Sequence, residues 1–282
     1  MEDKIFDMCV YGIVIIITLA MLYPLLNVVA ISLSSYKSYI QNPLMVFPKE
    51  LDFNAFKYVF TNKFIGRSYY NTIFITAVGT TLGMFLTSLT AYPLSRKGLR
   101  GKKALMTFYM IVMLFPGGII PEFLVIQGLH LYDSLWSLIL PSLIPIYNLV
   151  LMKSFFESIP ESLIEAAKID GASETYTFFR IVMPLSKPAL AAIALFLGVA
   201  YWNEFFKAVL FIRSQNNWPL QLLLREIIAN AGFQNDLVKP EEVYPVSIRY
   251  ASLIVVILPI LAIYPLIQKY FVKGVMIGAV KG

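Results

Sequence analysis

Few of the 282 residues could make or break bonds. Cys9 is the only cysteine and His130 the only histidine. Neither an intrachain disulfide nor a Cys/His metal cluster can therefore form. No G-x-x-x-x-G-K-[ST] run is present to cradle phosphates, and neither an H-E-x-x-H nor a G-x-S-x-G motif occurs. A single histidine also removes the usual general base from most catalytic constellations. The chain is expected not to be an enzyme and to hold no metal or cofactor of its own. What remains is the chemistry of recognition. It concentrates in one stretch rich in charged and small residues, from Lys153 to Pro188.

Within that stretch Ser158 and Glu161, with Pro160 between them, have the spacing of a capping box, which predicts a helix starting near residue 159. Gly171 predicts its end, because glycine takes the left-handed conformation without steric cost. The helix would hold about twelve residues and span about 18 Å. On it Leu163, Ala166 and Ala167 form a narrow apolar face with Glu165 and Lys168 at its edges, a surface that another protein could approach closely. A second amphipathic stretch containing Tyr176, Phe179 and Ile181 leads to Pro184 and Pro188. The pattern fits a cytoplasmic helix-turn-helix; periodicity alone favours a re-entrant loop packed on its own bundle.

The elements that must position this stretch belong in a bilayer. Hydrophobic residues make up 58% of the chain and charged residues 14%, with a mean hydropathy of +0.71, well outside the range of soluble domains. Six apolar runs, about 9–32, 70–94, 104–127, 135–153, 187–212 and 246–270, are long enough to cross about 30 Å of hydrocarbon and must be helical there. Ser95–Lys103 carries Arg96, Lys97, Arg100, Lys102 and Lys103 and no acid, so this short loop is expected to be cytoplasmic. Both termini then lie inside, and the outer connections run over about 33–69 and 213–245. The net charge of +6 sits in short loops between apolar runs, which argues against nucleic acid as a partner. The first run lacks a basic leader and is expected to remain as a span. The chain reads as a single transmembrane domain.

Helix breakers interrupt several runs, most clearly Phe115-Pro-Gly-Gly-Ile-Ile-Pro-Glu122. Such breaks line transport paths or merely fit neighbouring helices. Candidates for a path are Tyr147, Asn148, Tyr201, Trp202, Asn203 and Glu204, since polar groups at membrane depth face protein or water. Interhelical hydrogen bonding by Asn203 and Glu204 is the alternative. Glu122, Glu204, Lys207 and Arg249 are too scattered in sequence to argue an ion site, which weighs against an ion-coupled transporter.

Glu165-Ala166-Ala167, then Gly171, Ile181 and Met183-Pro184, closely resembles the EAA loop of ATP-binding-cassette importer permeases, with Met183 where leucine is usual. Asp170-Gly171-Ala172 and Phe179-Arg-Ile-Val-Met-Pro-Leu185 extend the match. Trp202-Asn203-Glu204-Phe205 and the glycine-rich end, Phe271 to Gly282, resemble the G-type subunit of maltose-family sugar permeases. In overall texture the chain resembles the LplC- and YtcP-like branch for complex oligosaccharides, common in Gram-positive bacteria. The resemblance implies an all-α, type I importer permease fold with six spans and cytoplasmic termini, in a bacterial cell membrane. It implies docking of an ATPase at Glu165, Ala166, Ala167, Asp170 and Gly171, and a tail at Gly278, Val280, Lys281 and Gly282 reaching between the ATPases. It also implies a second permease, two ATPase subunits that bind ATP and Mg, and an extracellular solute-binding lipoprotein.

Overall fold

The computed structural model describes residues 2–230 and 246–262. In chain order the helices are α1 (Glu2–Ser32), α2 (Tyr36–Gln41), α3 (Asn54–Thr61), α4 (Ile65–Ser95), α5 (Lys102–Leu114), α6 (Ile119–Gly128) and α7 (Trp136–Ser142). There follow α8 (Ile146–Glu157), α9 (Glu161–Ile169), α10 (Glu174–Leu185), α11 (Lys187–Trp202), α12 (Phe206–Phe211), α13 (Leu220–Asn230) and α14 (Val246–Ala262). Among the described residues the one extended pairing is an isolated bridge between Ser34 and Leu51. Helix is what lipid demands, because each helix satisfies its own backbone.

Two uninterrupted helices, Phe6–Ser32 and Ile65–Ser95, are apolar and long enough to cross a bilayer. Three bent pairs meet the same test together: α5 with α6 at 110°, α7 with α8 at 46°, and α10 with α11 at 80°. The expected break in the third run is present. Pro116 and Gly117 lie between α5 and α6, and Gly118 enters α6 at φ 89°. The fifth run, expected as one helix to residue 212, is instead cut at Asn203–Phe205, where α11 ends and α12 begins. The last expected run coincides with α14 up to residue 262, and its continuation to 270 lies outside the described residues.

Two compact units are distinguished. One contains Met1–Ile65 and Leu223–Leu261. Its α1 is apolar all round, as suits a helix surrounded by lipid. Near the end of α1, Ala30 and Ile31 pack with Met45, Tyr39, Val246 and Tyr250. Asn27 donates to the carbonyls of Pro43 (3.0 Å) and Met45 (2.8 Å), fixing the returning chain.

The other unit is built on Gly66–Leu222 around α4. Gly79 and Gly83 give α4 a small-xxx-small stripe, the residue type that lets membrane helices approach closely. A Cβ on Gly79 would stand 2.6 Å from the Tyr201 ring of α11, and one on Gly83 2.9 Å from the Leu143 carbonyl between α7 and α8. Tyr201 is held there by donating its hydroxyl to the Ile139 carbonyl at 3.1 Å. At the other end of α4, buried Asn71 donates to the carbonyls of Asn216 (2.8 Å) and Trp218 (3.1 Å), and Thr72 accepts from Leu220 N–H (2.7 Å). Asp133 fastens the same region. Its carboxylate accepts the N–H groups of Arg213 (3.0 Å) and Ser214 (2.9 Å) and the Ser214 hydroxyl. Partial burial would raise the Asp133 carboxyl, but these bonds outweigh it and hold the group below the usual carboxylate range.

Candidate coupling site

Helix α9 starts at Glu161, two residues later than the spacing of Ser158 suggests, and the capping box does not form. Pro160 disfavours helical backbone at residue 159 and itself sits at the cap with extended ψ of 126°. Ser158 instead closes α8, its hydroxyl donating to the Phe155 carbonyl at 2.7 Å. The other end of α9 matches expectation. Gly171 has φ +80°; its N–H donates to Lys168 O (3.0 Å), and Ala172 N–H donates to Ala167 O (2.9 Å). These two bonds form a Schellman motif, which satisfies carbonyls that a helix end leaves bare.

Contact with the bundle decides which side of α9 faces out. Ile164 and Ala167 are buried, and Ile164 joins the main core. Ala167 is thus turned inward, not onto the outer face expected for it, because the inner stripe runs through 164 and 167 at i, i+3. The outward side carries Leu163, Ala166 and Ile169, the last 86% exposed, with Glu165 and Asp170 also exposed. Ile169 was not singled out from the sequence, although its i+3 spacing from Ala166 places it beside that residue on the outward side.

The return helix α10 also differs from its periodicity. Ser173 caps it by accepting Tyr176 N–H at 3.2 Å. Residues Phe178–Val182 then form a π turn. Phe178 and Val182 point into the core, while Tyr176 and Phe179, which mark the amphipathic stretch in the sequence, are largely exposed. An i+5 turn shifts side chains off a 3.6-residue pattern.

Charged contacts surround α9. Glu161 in its first turn pairs with Lys97 in the loop after α4. Lys168 in its last turn pairs with Glu174 at 2.7 Å, and Tyr92 of α4 donates to the other Glu174 oxygen at 2.9 Å. The bond from Lys97 holds the Glu161 carboxyl below its ordinary value, and Glu161 raises the Lys97 ammonium in return. Hydrogen bonds from Lys168 and then Tyr92 lower Glu174. Nearby, Glu157 accepts from Lys102 (2.9 Å) and Lys153 (2.7 Å). Between α4, its exit loop and α9 lies a cleft of about 590 Å³.

The path candidates do not share one surface. Asn148, Tyr201 and Trp202 are buried, Tyr147 and Asn203 are exposed, and Glu204 is partly covered. Trp202 Nε1 has no hydrogen-bond partner among the described residues. Asn203 donates to Val199 O (2.9 Å) and accepts from Gln221 (3.1 Å), while Glu204 accepts Lys207 N–H (3.0 Å) at the start of α12. Three acidic and basic residues that look scattered in sequence meet here. Lys207 lies 3.5 Å from Glu122 and donates to Ser142, so it joins α12, α6 and α7 as well as taking its cap from Glu204. The tail residues Gly278, Val280, Lys281 and Gly282 lie outside the described residues.

The family described as binding-protein-dependent transport system inner membrane component matches residues 79–277, a range that contains the whole of α9 and α10. The polygalacturonan/rhamnogalacturonan transport system permease protein YtcP of Bacillus subtilis is 41% identical over 100% of both chains. Protein LplC of the same organism is 40% identical over 99% of this chain and 96% of its own. A chain from the crystal structure of a bacterial ABC transporter involved in import of the acidic polysaccharide alginate superposes with a TM-score of 0.88 at 31% identity. It covers 96% of this chain and 98% of its own. With most of its length matched, this chain belongs to the binding-protein-dependent inner membrane component family and is an ATP-binding-cassette importer permease.

Proposed function

We propose that the chain is a permease subunit of a sugar or oligosaccharide importer, driven by ATP hydrolysis on separate ATPase subunits that grip α9. One observation carries this reading. Helix α9 turns Leu163, Ala166 and Ile169 outward on a short helix ended by a Schellman motif at Gly171, within the span matched to the family. An ATPase cleft that receives this face moves the helix bundle, and the bundle alternates access. Glu165, Ala166, Asp170 and Gly171 meet the ATPase directly in this scheme, and Ala167 seats the helix on the bundle. The tail from Gly278 to Gly282 reaches between the two ATPases, where ATP and Mg are bound.

A relative named for polygalacturonan and rhamnogalacturonan, and a neighbour named for alginate, support an oligosaccharide as substrate. A second permease and an extracellular solute-binding lipoprotein complete the assembly. The chain crosses a Gram-positive cell membrane six times with both termini inside, and its candidate path residues lie at the breaks near 145 and 203.

Gly171→Asp tests the reading. No atom outside the immediate backbone lies within 4 Å of a Cβ there, so the first side-chain carbon is not crowded by this chain. Left-handed strain costs about 1–2 kcal/mol; any larger effect comes from a partner. The variant is expected to insert normally, to lose ATPase in co-purification, and to lose uptake. Full uptake with normal complex yield would sink the proposal.

A further inference from the structure

Helix α9 is fastened at its first turn to the loop that leaves α4 and at its last turn to Glu174 of α10, which in turn bonds Tyr92 of α4, and the fastenings differ in kind. Lys97–Glu161 and Lys168–Glu174 join side chains that are about half exposed or more, and such pairs hold weakly because solvent screens them and two long side chains must be ordered. The Tyr92–Glu174 bond shares that exposed carboxylate and differs on the donor side. The Tyr92 ring is locked at 5.0 Å from Phe178 and 6.3 Å from Phe156, both buried, and the Arg96 guanidinium lies 5.3 Å from its centre. The tyrosine side of the bond therefore has little rotamer freedom left to lose, and its acceptor is charged.

The bond also stands at a junction. Glu174 is the first residue of α10, three residues beyond Gly171, so displacement of α9 passes through the short turn directly into it. On the other side, Tyr92 belongs to the helix whose Gly79 and Gly83 touch Tyr201 and Leu143. Tyr92 is thirteen residues from Gly79, or about 20 Å along the axis. Those contacts flank the breaks at 143–145 and 203–205. The cleft beside the joint, lined by Tyr92, Arg96, Lys97, Glu161, Lys168 and Glu174, leaves it room to move.

We propose that Tyr92 and Glu174 form the mechanical joint that transmits motion of the docking helix to α4, and through α4 to the broken spans. They are positioning residues; neither touches substrate or nucleotide in this scheme. The inference rests on the reading that α9 docks the ATPase.

The test uses the assembled transporter in a Cys9→Ser background with Asn203→Cys as a reporter at the α11–α12 break. Maleimide labelling of the reporter is compared with and without ATP, Mg and vanadate. Tyr92→Phe keeps the ring and removes the hydroxyl; Glu174→Gln removes the charge. Each is expected to retain ATPase and hydrolyse ATP while the nucleotide-dependent change in labelling shrinks by about threefold to tenfold, the range for loss of an ordinary, solvent-exposed hydrogen bond. The double variant should be no worse than either single one, as for two partners in one interaction. Glu174→Asp, which keeps the carboxylate, should recover part of the response. If a variant lowers complex yield, the labelling response of the surviving complex remains the readout. A full response in Tyr92→Phe, or additive losses in the double variant, overturns the joint. Failure of the unmutated complex to retain ATPase would strike at the docking reading instead.

Discussion

Replacing Gly79 with alanine should destabilise this permease, whereas the same replacement at Gly198 should not. A Cβ on Gly79 would lie 2.6 Å from two ring carbons of Tyr201 and 2.9 Å from a third, against a normal separation of about 3.5–4.0 Å. The ring must retreat by about 1 Å. Tyr201 is 3% exposed and its hydroxyl is tied to Ile139 O, so retreat compresses the core and stretches that bond. Overpacking costs about 1–3 kcal/mol and a lost hydrogen bond about 1 kcal/mol; the better helix propensity of alanine returns about 1 kcal/mol. The net is a loss of about 1–3 kcal/mol. At Gly198 the nearest atom is Thr80 Oγ1 at 3.6 Å, an ordinary contact, so propensity dominates and stability is unchanged or rises by up to about 1 kcal/mol. Heating detergent-solubilised protein and measuring the monodisperse fraction by size exclusion gives the comparison. If Gly79→Ala survives heating as well as Gly198→Ala, the close approach of α4 and α11 is not as described.

Asp133→Asn should weaken the clamp on Arg213 and Ser214. Because the Asp133 carboxyl is held below its ordinary value, the stability it adds is complete above about pH 4 and fades as pH falls through the lowered value. Thermal stability of wild type and variant should therefore differ at pH 7 and converge in acid; a pH-independent gap would contradict the ionic origin. For topology, single cysteines at Ser95 and Lys281 in a Cys9→Ser background should resist impermeant maleimide added to intact cells, and labelling of either from outside would reverse the assigned orientation.

Features set by local chemistry were legible in the sequence. Apolar runs marked where the long and bent helices lie, Pro116 and the glycines beside it marked a break, and Gly171 marked a left-handed helix end, because each depends on neighbouring residues in the chain. The late start of α9 was legible too, had the effect of Pro160 on its predecessor been weighed against Ser158. The Gly79-x-x-x-Gly83 stripe was equally open to view. The inward turn of Ala167 was not, since it depends on how α9 sits on the bundle and not on its own periodicity. Nor were the Asp133–Ser214 clamp, 81 residues apart, or the Glu122–Lys207 pair, which only the folding back of broken helices brings together.

The π turn at Phe178–Val182 bears on how such chains can change over evolutionary time. A π turn holds one residue more than the α turn it replaces, and each residue of an α-helix advances the chain by about 100° around the axis. Deleting one residue here would let the segment relax into regular helix without breaking it. A one-residue deletion within these five residues could thus be absorbed as altered winding, sparing the helices on either side.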